Sequence, residues 1–208
     1  MKEEQDYIRD IAAMRSMMER SSKFLSLSGW AGIMAGIYAL SGAYIAYKIF
    51  DFNPDEIIYS TAGSGSLTYS LLMVILLAVL ILILAMGTAI FLSKKKAKKR
   101  GENIWNPTAK RLLINMAVPL LAGGLLILVL ISKGLIGLIA PFTLLFYGLA
   151  LYNASKFTYE EVRTLGLIEI GLGLISSYFV GYGLLLWAFG FGVVHIIYGI
   201  YLHYRYEQ

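Results

Sequence analysis

The sequence has 208 residues, of which 58% are hydrophobic and 15% are charged, with a formal net charge of +5 and a mean hydropathy of +0.69. Soluble globular domains carry about 25% charged residues, so this composition excludes a soluble domain and indicates a chain that lies in a lipid bilayer. There is no cysteine, which excludes disulfides, thiolate metal sites and a cysteine nucleophile.

Residues 1–23 form the first expected element, a cytoplasmic amphipathic helix. Ile8, Ile11, Met14 and Met18 recur at helical spacing among charged residues. A helix of this kind binds a soluble partner or lies on a membrane surface. The segment lacks the layout of a cleaved signal peptide, so we expect the first span to act as an uncleaved signal.

Six apolar segments follow, each of about the 20 residues that a membrane-spanning helix needs. The sequence therefore predicts an all-α, polytopic membrane protein, with a six-helix bundle over residues 24–204 and a cytoplasmic tail at 205–208. The connections at 132–134 and 181–183 are so short that they require tight turns, and we expect three antiparallel hairpins. The six spans cover residues 24–49, 67–93, 110–132, 134–153, 163–181 and 184–204.

The basic residues predict the orientation of these spans. With the N-terminus inside, 16 of the 18 Lys and Arg residues fall on the cytoplasmic side, and only Lys48 and Lys133 fall outside. Lys and Arg collect in cytoplasmic loops, so we expect both termini in the cytoplasm and the chain in a cell membrane, with the bacterial inner membrane as the first expectation. The basic run at 94–100 is part of this topology signal, and no nucleic-acid partner is expected.

Two local patterns predict helix starts. Asn106 followed by proline is typical of an N-cap at the start of the third span. Thr158, with Glu161 three residues later, has the spacing of a capping box, which predicts Thr158 as the N-cap of the helix that becomes span five.

Glycines indicate where helices approach closely, because close packing drives helix association in lipid. Span two is bulky and aliphatic, so we expect it at the lipid-facing periphery and spans one, five and six in the interior. The stripe in span one serves either this packing or a homo-oligomer, and the sequence leaves both open. The packing glycines are Gly29, Gly32 and Gly36 in span one, Gly166 and Gly173 in span five, and Gly192 and Gly199 in span six.

Glu169 is an acid inside the otherwise apolar fifth span. It lies thirteen residues before Tyr182, at the centre of the last turn, and His195 lies thirteen residues after it. Two antiparallel helices of equal rise place both side chains at one depth. Small residues flank each of them, so we expect the two faces to meet, with Ser176 one more turn along. A charge near the bilayer centre costs about 2.5–3.5 kcal/mol, so Glu169 is expected to be protonated, paired with protonated His195, or hydrated.

No enzyme motif is found. HExxH, GxSxG and GxxxxGK[ST] are absent from the sequence, so no enzyme, cofactor or metal is expected. Phe191 and His195 form an FxxxH element that resembles one motif of the intramembrane CAAX-protease-like family. That family also has an EExxxR element and a third histidine motif, whereas here Glu160 and Glu161 precede Arg163 as EExR and the third motif is missing. No site residue is transferred from this resemblance.

Two functions from different classes follow. The first is a small secondary transporter or channel-like protein, a homodimer in our expectation, in which Glu169 and His195 form a proton- or cation-responsive pair. The alternative is a membrane-embedded regulatory or assembly protein, which acts through the N-terminal helix and the basic cytoplasmic loop. A contact between Glu169 and His195 that only fixes the register of two helices stays open beside both, and so does snorkelling of Glu169 towards the cytoplasmic interface.

Overall fold

The computed structural model describes residues 23–52, 69–99, 101 and 105–207, so the expected helix over 1–23 lies outside the described residues apart from Lys23. This part of the chain folds into six helices and contains no strand, which confirms the all-α prediction. The helices are α1 Gly29–Lys48, α2 Tyr69–Lys99, α3 Pro107–Ser132, α4 Ile139–Ala154, α5 Glu161–Tyr178 and α6, which runs through Gly183–Trp187, Ala188–Val194 and His195–Tyr206.

Five stretches of the described chain are long and apolar enough to cross a membrane, which indicates a multi-pass membrane protein. In lipid every backbone polar group must be satisfied internally, and a helix does so within one segment. α5 has only 18 residues, and three of them, Glu161, Arg163 and Glu169, are charged, so it lacks the long apolar window of the other helices and a sixth span stays a prediction. The five stretches are Gly29–Lys48, Tyr69–Lys99, Pro107–Ser132, Ile136–Phe157 and Val180–Tyr206.

One predicted helix start is confirmed and the other is wrong. The Asn106 side chain accepts a hydrogen bond from the Ala109 N–H (2.7 Å), so Asn106 is the N-cap of α3. α5 begins at Glu161 without a side-chain cap. The Thr158 hydroxyl instead donates to the carbonyl oxygen of Phe24 (2.8 Å), because the segment before α1 lies against this loop and offers a tertiary acceptor in place of a local one.

The helices form a bundle with α2 and α3 at its two edges. α1 packs between α2 and α6, α4 packs between α3 and α5, and α6 also contacts α4 and α5. Only 6% of the apolar window of α2 is buried, against 39% for both α1 and α4. The structure therefore places α2 at the periphery, as expected, and corrects the expected interior by adding α4.

The glycines of α1 pack against α6 of the same chain. A Cβ atom at Gly36 would lie 2.6 Å from the carbonyl oxygen of Gly192, and one at Gly32 would lie 3.2 Å from the Cα atom of Gly199. Gly29 likewise faces Gly199. This packing occupies the stripe within one chain, so the stripe gives no support to a homo-oligomer.

The glycines of α5 face α4, which corrects the expected meeting of the α5 and α6 glycine faces. A Cβ atom at Gly166 would lie 2.8 Å from the carbonyl oxygen of Gly148, and one at Gly173 would lie 2.8 Å from the backbone nitrogen of Leu145. The reason is Gly148, which opens a matching gap on α4. α5 and α6 therefore meet mainly through the side chains described below.

One end of the bundle carries a group of polar contacts at the start of α1 and the ends of α2 and α6. The Glu207 carboxylate accepts hydrogen bonds from the Gly29 N–H and from Lys96 Nζ, both at 3.0 Å. Its other oxygen lies 2.7 Å from Nδ1 of His203. We call this end the polar end, and it is the end at which α5 begins and α6 finishes.

Candidate functional site

Glu169 lies on α5 with its side chain completely buried (0% exposed). Neither of its carboxyl oxygens accepts a hydrogen bond from the part of the chain that the structure describes. A buried polar group without a partner costs about 1–3 kcal/mol, and more if it is charged. Glu169 therefore needs an explanation beyond packing.

His195 on α6 lies beside this carboxyl group. Its Nδ1 atom is 3.4 Å from Oε1 of Glu169, which is an ion-pair distance without hydrogen-bond geometry. The same Nδ1 atom is 2.9 Å from the carbonyl oxygen of Gly190. A carbonyl oxygen can only accept, so Nδ1 carries a proton and donates it to Gly190.

Tyr147 on α4 holds the other side of the imidazole. Its hydroxyl lies 3.0 Å from Nε2 of His195. When the ring is neutral its proton is on Nδ1, so Nε2 accepts the hydrogen bond from Tyr147. Phe191 stacks on the ring at 5.7 Å between centroids with an interplanar angle of 17°. The imidazole is thus fixed in place, with one nitrogen towards Tyr147 and the other towards Glu169.

The middle of α6, Ala188–Val194, is π-helical, and it brings Gly190 against the carboxyl group. A Cβ atom at this position would lie 2.6 Å from Oε2 of Glu169 and 2.7 Å from Cδ2 of Leu144. Glycine therefore leaves the space that the carboxyl group fills. Single π-helical turns within α-helices are frequent at functional sites.

Ser176 lies on α5, seven residues and about 10 Å along the helix axis from Glu169. It is buried, and its hydroxyl has no hydrogen-bond partner among the described residues. The structure thus brings Glu169 and His195 together but leaves Ser176 about two turns away from them.

Sequence reasoning missed Tyr147 and Gly190. Tyr147 is one of 15 tyrosines and lies in a helix whose interior position was not expected, so nothing in its neighbourhood singled it out. Gly190 is one of 21 glycines, and it reaches the site through a π-helical turn that no pattern in the sequence indicates.

The chemistry open to this site is exchange of a proton or a small cation. In the described part of the chain, no three His, Asp or Glu side chains come together as a metal site would require. An apolar groove lined by Trp30, Ile83 and Phe91 lies between α1 and α2 and does not reach Glu169. Since the Glu169 side chain is 0% exposed, its carboxyl group is enclosed by protein.

Comparison with known proteins finds no matching family model, no similar curated protein and no similar solved structure. The function must therefore be inferred from the geometry of this site.

Proposed function

We propose that this protein is a small secondary transporter or channel-like protein of a cell membrane, with Glu169 and His195 as its proton- or cation-responsive pair. The single observation that carries the proposal is a fully buried carboxyl group whose two oxygens accept no hydrogen bond from the described chain, 3.4 Å from an imidazole nitrogen. Ionisable residues at such depth in membrane proteins mark ion pathways and proton relays.

A purely structural role fits this geometry less well. A pair that only fixes helix register gains its stability from a hydrogen bond, and the contact between Glu169 and His195 lacks that geometry. A leucine or glutamine would fill the same space without an ionisable group. A group that gains and loses a proton or cation accounts for the acid at this position.

The proposal includes six spans and cytoplasmic termini. The span that remains a prediction is α5. Its charged residues make it less apolar than the other candidate spans. Glu161 and Arg163 lie in its first turn at the polar end, whereas Glu169 is covered by α4 and α6. A helix that is covered at its charged position crosses a bilayer without exposing that charge to lipid.

Proteoliposomes with a pH-sensitive dye inside test the proposal. We expect an imposed gradient of pH, Na⁺ or K⁺ to change the lumenal pH faster with the wild-type protein than in empty liposomes, and Glu169→Gln to abolish that difference. Glu160→Gln is the matched control, because the Glu160 side chain is 88% exposed and lies at the end of the same helix. Retained flux in Glu169→Gln, or wild-type rates equal to those of empty liposomes for all three gradients, contradicts the proposal.

A second candidate function uses the N-terminal segment, and one observation favours it. The Phe24 N–H donates to the carbonyl oxygen of Phe157 (2.6 Å), and the Tyr159 hydroxyl donates to that of Leu25 (2.5 Å). These bonds hold Phe24 and Leu25 against the loop before α5, and Leu27 accepts a hydrogen bond from Lys96 at the basic end of α2. In this alternative the protein regulates or assembles with a soluble partner through residues 1–23 and the basic loop.

Deletion of residues 1–20 separates the two functions. The regulatory function predicts that the deletion abolishes co-purification of a soluble partner and leaves ion flux unchanged. A partner that stays bound after the deletion removes the basis of this alternative.

A further inference from the structure

A groove of about 590 Å³ lies between α1 and α2, at one edge of the bundle. It runs along α2 from Ile83 to Leu92, which is about 13.5 Å along the helix axis. Its lining is mostly apolar, and the one hydroxyl in it, on Thr88, is already paired with the Tyr38 hydroxyl at 3.2 Å. Ile83 is 62% exposed, so the groove is open at the surface of the bundle. These properties suit an apolar ligand that enters from the lipid.

Gly87 on α2 leaves part of this groove empty. It lines the groove, and no atom of the described residues lies within 4 Å of a Cβ atom placed there. The glycines of α1 differ, since a Cβ atom at Gly36 would lie 2.6 Å from the carbonyl oxygen of Gly192. Glycine within a helix costs about 1 kcal/mol relative to alanine. Packing within the described chain does not account for this cost at Gly87, whereas a ligand in the groove does.

Two lysines continue the groove face of α2 beyond its apolar part. Lys95 follows Phe91 by four residues and Thr88 by seven, and Lys98 follows Phe91 by seven, so these side chains share one face of the helix. Both lysines are exposed, and neither forms a salt bridge with a residue that the structure describes. Lys96, between them, is bound within the protein instead. The face that carries the groove therefore ends in two positive charges.

The depths of these groups match the parts of a phospholipid. The headgroup layer on each side of the hydrocarbon core is about 5–8 Å thick. Lys95 lies about 4.5 Å beyond Leu92 along the axis, and Lys98 lies about 9 Å beyond it. Trp30 lines the groove from the first turn of α1, at the same end, and tryptophan is typical of the membrane interface. The groove thus lies at the depth of acyl chains and the lysines at the depth of headgroups.

We infer that the groove and the two lysines form a binding site for one anionic phospholipid. An acyl chain lies between α1 and α2 beside Gly87, and the phosphate group lies at Lys95 and Lys98. Charge complementarity selects the lipid, because phosphatidylglycerol keeps the negative charge of its phosphate whereas the choline of phosphatidylcholine cancels it. Basic residues directly beyond a span bind anionic headgroups. The site does not include Glu169, so it does not depend on the proposed function.

Quenching of Trp30 fluorescence by brominated acyl chains tests the site in the full-length protein. The chain has three tryptophans, and the variant with Trp105→Phe and Trp187→Phe retains only Trp30. This variant is reconstituted in phosphatidylcholine vesicles that contain increasing fractions of brominated phosphatidylglycerol or brominated phosphatidylcholine. We expect half-maximal quenching at a mole fraction at least about 5-fold lower for brominated phosphatidylglycerol.

The lysines are tested by removing their charges in this background. Lys95→Gln together with Lys98→Gln should abolish the preference for phosphatidylglycerol. The matched control is Lys110→Gln together with Arg111→Gln, which removes two exposed positive charges from the first turns of α3. This control should keep the preference, because α3 lies at the other edge of the bundle.

The groove is tested by filling it. Gly87→Leu should also abolish the preference, because the new side chain occupies the space of the acyl chain. Gly124→Leu is the matched control, since Gly124 likewise has no described atom within 4 Å of an added Cβ atom but lies on α3. It should bind phosphatidylglycerol like the parent variant.

Each contrary outcome overturns the inference. Equal quenching by the two brominated lipids excludes an anionic lipid site and leaves the groove to a second copy of the chain or to residues 1–22. A preference that survives removal of both lysines shows that they do not bind the headgroup. A preference that survives Gly87→Leu shows that the acyl chain does not occupy the groove.

Discussion

At the scale of single residues, the positions of Glu169 and His195 about the last turn were enough to predict that they meet. Equal separation from Tyr182 fixes equal depth in an antiparallel pair, and the structure places the two side chains 3.4 Å apart. The other members of the site could not be predicted from the sequence. Tyr147 joins it through the packing of α4, and Gly190 joins it through a π-helical turn, and both depend on contacts between distant parts of the chain.

The contribution of Glu207 to the free energy of unfolding can be predicted from its contacts at the polar end. Burial alone would raise the pKa of this carboxyl group, but hydrogen bonds from His203, Lys96 and the Gly29 N–H outweigh it and lower the pKa from 4.5 to about 2. A lowered pKa stabilises the fold above pH 4.5, and this stabilisation is lost as the pH falls from there towards 2. We expect Glu207→Gln to lower the free energy of unfolding by about 1–3 kcal/mol at pH 7.

The measurement is the midpoint temperature of thermal unfolding of wild type and Glu207→Gln at pH values from 7 down to 3. The difference between them should shrink below about pH 4.5, because the carboxylate of the unfolded chain, with its ordinary pKa of 4.5, then takes up a proton while the folded one, with a pKa of about 2, does not. Glu160→Gln, at an exposed position, should show no such difference. A loss of equal size at every pH would mean that Glu207 acts through packing rather than charge.

At the scale of helices, the sequence showed which faces are small but not which faces meet. The structure places every glycine that was predicted as a contact residue at a helix contact, namely Gly29, Gly32, Gly36, Gly166, Gly173, Gly192 and Gly199. Their partners differ from the expectation because the choice depends on shape. Gly148 makes α4 the closest partner of α5, and α1 takes the glycine face of α6.

A matched pair of glycine substitutions on α5 tests this packing. Gly166→Ala should destabilise the protein by about 1–3 kcal/mol, because the new methyl group would lie 2.8 Å from backbone atoms of Gly148 and Tyr152. Gly171→Ala should be neutral or stabilise by up to about 1 kcal/mol, since nothing lies within 4 Å of a methyl group there. Denaturation in one detergent compares the two variants, and equal midpoints would contradict the contact between α4 and α5.

At the scale of the whole molecule, composition established a membrane protein and the spacing of apolar segments established its helices. The sixth span is harder to assign, because Glu161, Arg163 and Glu169 lower the hydropathy of α5. Glu169 is also the residue on which the proposed function rests. Length and hydropathy alone give five candidate spans. A hydropathy average counts an acid in the same way whether it is covered or exposed, and the packing of α4 and α6 over Glu169 is the observation that supports α5 as the proposed sixth span.

Cysteine labelling tests the six-span topology in a chain that has no cysteine of its own. Lys156 and Tyr182 lie beyond the two ends of α5, and both are exposed. With six spans, Tyr182→Cys should react with a membrane-impermeant maleimide applied outside the cell, and Lys156→Cys should react only after permeabilisation. Reaction of both variants from the same side would show that α5 does not cross the membrane.

The proposed function requires that Glu169 exchanges a proton or a cation in the folded protein. The midpoint of thermal unfolding of purified wild type and Glu169→Gln between pH 5 and pH 8 tests this without knowledge of a substrate. We expect both variants to fold and the difference between their midpoints to change with pH, since the amide cannot titrate. Two parallel profiles, with a constant difference across the whole range, would contradict it and leave Glu169 as a structural residue.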